Sequence, residues 1–128
     1  MTPIFLDLTD VLEIHESRIQ LYGGSRGLRD LGLLQSALAQ PSAGFGGELF
    51  HKDLFEMAAA YFFHIARNHA FIDGNKRTAL ACCLVFLSFN EIDIEAESAE
   101  LEELTVAIAE GRKEKSEIAD FLRSHQNL

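Results

Sequence analysis

The sequence predicts an all-α fold, a single six-helix bundle around a buried central helix. Three observations carry that expectation. Apolar residues recur every three or four positions in five separate segments, the spacing that places them on one face of a helix. A sixth segment is apolar nearly all round, so a helix there must be covered on every side. The 128 residues suffice for one domain that buries roughly two-thirds of the surface its unfolded chain exposes. Residues 1–128 read as that one domain, without repeat, linker or low-complexity tract.

The elements follow in order. Thr9 can cap a first helix whose Val11, Leu12, His15, Ile19 and Tyr22 share a stripe, and Gly23-Gly24 stops it. Asp30 caps a second, with Leu33, Leu34, Ala37 and Leu38 facing inward until Pro41 ends it. The connector at 42–50, SAGFGGELF, reads as a loop or a short flap. Asp53, with Glu56 three residues on, opens the clearest amphipathic helix, carrying Leu54, Met57, Ala58, Tyr61, Phe62 and Ile65. Asn75 opens the all-apolar helix, which runs to about Phe89 and takes the central place. Ile92-Asp93-Ile94 is a brief extended piece. Ser98 then caps a helix with Leu101, Leu104 and Ile108 ending at Gly111, and Ser116 starts the last, with Ile118, Phe121 and Leu122.

Composition excludes several classes. Twenty acidic against eleven basic residues give a formal charge of -9, which opposes attraction to phosphate backbones and argues against a nucleic-acid partner. The most apolar stretch, 78–89, falls short of the roughly 18 residues a membrane span requires. Cys82 and Cys83 are adjacent, a spacing that disfavours a disulfide, and no secretory signal opens the chain, so a cytoplasmic location is expected.

The turn before the central helix reads His69-Ala70-Phe71-Ile72-Asp73-Gly74-Asn75-Lys76-Arg77-Thr78-Ala79. A helix start after glycine presents unpaired backbone N–H groups and roughly half a positive charge, which is an anion site. Lys76 and Arg77 sit in that first turn, where cations disfavour the helix unless an anion binds. Asp73 offers a hard oxygen ligand, and Mg²⁺ on nucleotide phosphates takes only one or two protein carboxylates. His69, with an ordinary pKa of about 6.5, suits proton abstraction from a hydroxyl at neutral pH. A base, a metal ligand and phosphate-binding groups thus fall within 69–77, a set suited to phosphoryl or nucleotidyl transfer.

His69-x-Phe71-x-Asp73-Gly74-Asn75-x-Arg77 resembles the Fic motif, HxFx(D/E)GNxRxxR. Lys76 stands where typical Fic enzymes have Gly, and Leu80 where they have the final Arg; both departures point to the Doc (death-on-curing) branch of the Fic/Doc superfamily. The resemblance to Doc toxins extends over about 9–122 and includes Tyr22-Gly23-Gly24 and Gly27-Leu28-Arg29-Asp30. It implies a toxin of a toxin–antitoxin system with protein kinase activity, ATP and Mg²⁺ as cofactors, and transfer of the γ-phosphoryl group to a hydroxyl of a translation factor such as elongation factor Tu. Carried onto this chain, it makes His69 the base, Asp73 the metal ligand, and Gly74, Asn75, Lys76 and Arg77 the phosphate cradle, with Arg67 a weaker addition. No segment resembles the (S/T)xxxE(G/N) motif of self-inhibited Fic proteins, so a cognate antitoxin is the expected partner.

Two other functions stay open. The founding member of the Doc branch has Ala at the position of Gly74, so this site is partly Fic-like and AMP transfer remains an alternative. A catalytically inactive protein-binding module is the other. His15 on its apolar stripe reads as a hydrogen-bonded core residue, Cys82 and Cys83 as small core hydrophobes, and Tyr22-Gly23-Gly24 as a helix stop. Arg26 and Arg29 are free to approach a nucleotide, and the 42–50 loop is either a target-aligning flap or a connector.

Overall fold

The computed structural model describes residues 2–128 and contains six helices: α1 (Leu8–Tyr22), α2 (Leu31–Ala39), α3 (Leu54–Asn68), α4 (Asn75–Phe89), α5 (Ser98–Ala109) and α6 (Lys115–Ser124). The 42–50 connector forms a hairpin of two short strands, β1 (Gly44–Phe45) and β2 (Glu48–Leu49), paired antiparallel. Gly46 and Gly47 at its tip have φ of 62° and 83°, the positive values that a tight two-residue hairpin turn requires. Ile94 bridges to Gln126, which makes the short extended piece after α4 real.

The helix ends show which local signals governed. Asp30 and Asp53 cap α2 and α3 as expected, each accepting a backbone N–H three residues on. Thr9, Ser98 and Ser116 do not cap α1, α5 and α6. Asp7 caps α1 in a reciprocal pair with Asp10, at 2.8 and 2.9 Å. Glu97 and Glu114 hold the N-cap positions of α5 and α6, their N–H groups donating to Glu100 and Glu117. A carboxylate there satisfies an orphan donor and meets the positive helix end with a full negative charge, which a hydroxyl cannot.

The most enclosed helix is α3 rather than α4. It packs against α2, α4, α5 and α6, and residues 57–62 are buried without interruption. Its Ala58, Ala59, Ala60 and Ala66 are small enough for neighbours to close over every side. In α4, Thr78, Ala79, Cys82, Cys83, Phe86 and Leu87 are buried, while Leu80, Ala81, Leu84 and Val85 are only partly covered by α1, α3 and α5. The two cysteine thiols are free and buried, and burial raises their pKa well above the ordinary value, so they act as core hydrophobes. No helix among the described residues is long and apolar enough to cross a membrane.

Candidate active site

The segment between α1 and α2 docks against the turn between α3 and α4. Leu28 bridges antiparallel to Phe71; Arg29 and Asp30 N–H groups donate to the Ala70 carbonyl at 2.8 and 3.0 Å, and Ile72 N–H to Gly27 O at 3.1 Å. Phe71 is buried, as its place among polar neighbours requires, and anchors the turn. Asn75 closes the turn from within: its side chain accepts from Phe71 N–H at 3.0 Å and donates to Phe71 O at 2.9 Å. The Asn75 amide is therefore committed to the turn, and its backbone N–H is what it offers to a ligand.

His69 ends α3 in the left-handed conformation, φ 52° and ψ 45°, a strained choice for a residue with a Cβ. It leaves the imidazole exposed and without a hydrogen-bond partner among the described residues. Arg29 steadies this geometry, donating from Nε at 2.8 Å, and from Nη2, to the His69 carbonyl. Its fork is thereby occupied, and Arg26 pairs with Glu16 at 2.9 Å.

Asp73 follows on the exposed rim. One carboxylate oxygen accepts from Ser25 N–H at 3.0 Å and the other from Gly74 N–H at 2.9 Å. These two donors, helped by the nearby guanidinium of Arg77, hold its carboxyl below the ordinary value and favour the ionised form. Glycine at position 24 is required for this approach, because a Cβ there would lie 2.7 Å from Asp73 Oδ2.

The start of α4 has no capping side chain. Gly74 takes the N-cap position with φ 77° and offers no side chain, so the N–H groups of Asn75, Lys76 and Arg77 lack acceptors among the described residues. Lys76 is exposed and forms no ion pair among them. Arg77 lies over the Tyr22 ring, 4.8 Å from its centroid, so Tyr22 belongs to the site's edge as well as ending α1. Arg67 is not brought in. It lies over Phe63 and against Gly111, at the loop between α5 and α6.

A cavity of about 130 Å³ near Pro3 and Met57 and a groove of about 210 Å³ beside Ile14 and Phe89 include none of these residues. The site is an open surface, which suits phosphates held by backbone donors and does not require a deep pocket. The donor set fits a magnesium-bound polyphosphate: one ionised carboxylate, three free N–H groups and an unpaired ammonium, with an exposed histidine at the other end of the turn. Of the residues singled out in the sequence, Gly74 is the N-cap of α4, Asn75, Lys76 and Arg77 form its first turn and Asp73 precedes them, while His69 ends α3 on the other side of the turn. Sequence reasoning missed Ser25, Gly24, Arg29 and His15 as supporting groups. The signal was the Tyr22–Asp30 segment, where Gly24, read with Gly23 as a helix stop, and Gly27 both permit close packing.

A model of the Fic/DOC family matches residues 5–87. The chain is 39% identical over 114 residues to the protein named "Protein kinase doc" of Escherichia phage P1, covering 89% of each. It is 41% identical over 93 residues to "Toxin Doc" of Mycolicibacterium smegmatis, covering 73% of this chain and 69% of that one. With its motif folded around the start of α4 and most of its length matched, this chain belongs to the Fic/DOC family.

Proposed function

We propose that the chain is a Doc-type toxin, a protein kinase that transfers a phosphoryl group to a hydroxyl of a cellular protein and is neutralised by a cognate antitoxin. The observation that carries the chemistry is the uncapped start of α4, with three free N–H groups and Lys76, set beside the ionised Asp73 and the exposed His69. ATP would supply the γ-phosphoryl group and leave as ADP, and Mg²⁺ would offset the phosphate charge. Asp73 offers a carboxylate oxygen to the metal, and Asn75, Lys76 and Arg77 offer donors to the phosphate oxygens. His69 accepts the proton of the attacking hydroxyl through its free imidazole. The toxin role and the antitoxin rest on the similarity to the two Doc proteins. A translation factor such as elongation factor Tu, as the acceptor, rests on the resemblance to the Doc branch.

A second reading, AMP transfer, is favoured by Gly74. It keeps the glycine of ordinary Fic motifs in a left-handed conformation that brings backbone close to the phosphates. ATP labelled separately at the α and γ positions, incubated with the purified protein and a translation-factor preparation, decides between the two. Label from the γ position alone is expected on the acceptor; label from the α position establishes AMP transfer. Growth arrest that His69→Asn and Asp73→Asn leave unchanged would mark an inactive binding module.

A further inference from the structure

We propose that His15 is a positioning residue of the site, holding the Asp73–Gly74 peptide in the orientation that metal and phosphate binding need. This rests on the reading of Asp73 and the start of α4 as the metal–nucleotide site. His15 is buried in α1, and its Nε2 lies 2.8 Å from the backbone carbonyl of Asp73, 58 residues away in sequence. A carbonyl oxygen only accepts, so Nε2 carries the hydrogen. The ring lies flat against Phe71 of the motif, with centroids 3.8 Å apart and planes 7° from parallel. One side chain of α1 therefore touches the turn's aromatic anchor and the main chain of its metal ligand.

The peptide needs such a lock. Its carbonyl faces His15, while the N–H on its other side, that of Gly74, donates to Asp73 Oδ1 at 2.9 Å. Rotating the peptide changes ψ of Asp73 and φ of Gly74, and glycine accepts φ of either sign, so Gly74 itself offers little resistance. A rotated peptide would take the N–H from the carboxylate and set a carbonyl oxygen toward it. It would also reorient the first free donors of α4. Asn75 fixes Phe71 but makes no bond to this peptide, so beside the local Gly74 N–H bond to Asp73 Oδ1 the His15 donor is the hydrogen bond from outside the turn that opposes rotation. As a space-filler alone, the slot against Phe71 would be served by another flat ring without a donor.

Three substitutions separate the roles. His15→Gln places an N–H near the position of Nε2; His15→Asn is too short to reach; His15→Phe keeps the stacking and loses the donor. Binding of Mn²⁺ in the presence of a non-hydrolysable ATP analogue is read by electron paramagnetic resonance, and exchange of the Gly74 amide hydrogen by NMR. Asn and Phe are expected to weaken Mn²⁺ binding roughly 10- to 100-fold, the range for groups that orient a metal ligand, and to speed Gly74 exchange. Gln stays close to wild type in both. Wild-type values in His15→Phe, or equal values for Gln and Asn, overturn the proposal; the Gln–Asn pair decides it if Phe does not fold. Gly74 exchange needs no metal, so a failed metal reading shows separately, as equal Mn²⁺ binding by wild type and Asp73→Asn, and that outcome removes the proposed role.

Discussion

The starts of α1 and α4 form opposite electrostatic solutions to the same problem. Both helices have 15 residues and begin at the surface. Asp7 and Asp10 close the start of α1 with two reciprocal bonds and place negative charge on its positive end. The start of α4 has no capping side chain, three open N–H groups and two cations on the same positive end. The start of α6 lies between them. Lys115 is its first residue, yet Glu114 and Glu117 flank it, and its ammonium donates to His64 Nε2 at 3.1 Å. On the proposed reading, the Lys115 cation is satisfied where the chain is only structural, and the cations of α4 are left for an anion. The cost at α4 would be local instability, and the return a preformed polyanion site.

The largest expected effect lies at the open end. His69→Asn, which tolerates the left-handed conformation, should lower kcat roughly 10²- to 10⁴-fold with little change in thermal unfolding. Gly24→Ala comes next: its Cβ would displace the Asp73 carboxylate, and a shift of that kind reduces the rate by about 10²-fold in steady-state assays. Asp10→Lys at the closed end should do the reverse, removing the cap partner and inverting the charge for a loss of about 1–2 kcal/mol in urea unfolding while kcat holds.

Lys76→Glu sharpens the contrast further. It should stabilise the ligand-free chain by about 0.3–1 kcal/mol and weaken nucleotide binding, so stability and affinity move in opposite directions. A Lys76→Glu protein less stable than wild type would show that α4 is not electrostatically open.

At α6 the expected effect is the smallest at neutral pH and emerges only on acidification. Burial first, then the charges of Lys115 and His51, lower the pKa of His64 to about 4 from 6.5. Between those values the unfolded chain binds a proton that the folded chain refuses, so stability falls as pH drops from 6.5 toward 4 and levels off below. His64→Gln should flatten that part of the melting-temperature profile, and an unchanged profile would remove His64 from the α3–α6 contact.

The legible parts of this molecule are those set within a few residues. Apolar spacing located all six helices, and the limits of α4 agree with those read from Asn75 and Phe89. Capping was legible at Asp30 and Asp53 but misread at Thr9, Ser98 and Ser116, because each stood close to a carboxylate better matched to the helix charge. The contiguous 69–77 motif contains every residue to which the proposed function gives the role of base, ligand or cradle. Asn75, however, spends its amide on Phe71, a use that spacing does not reveal.

The amino-acid order by itself determined the helices and the chemical contents of the α3–α4 turn, since periodicity, capping and the run of His69, Asp73 and Lys76 act over neighbouring residues. Only the tertiary structure decided that α3 is the enclosed helix, that Arg67 turns toward Gly111, and that Ser25, Arg29 and His15 hold the turn from 48, 40 and 58 residues away. The physical reason is that such contacts depend on how α1 and its following loop pack against α4 and the turn, and chain separation carries no record of that geometry.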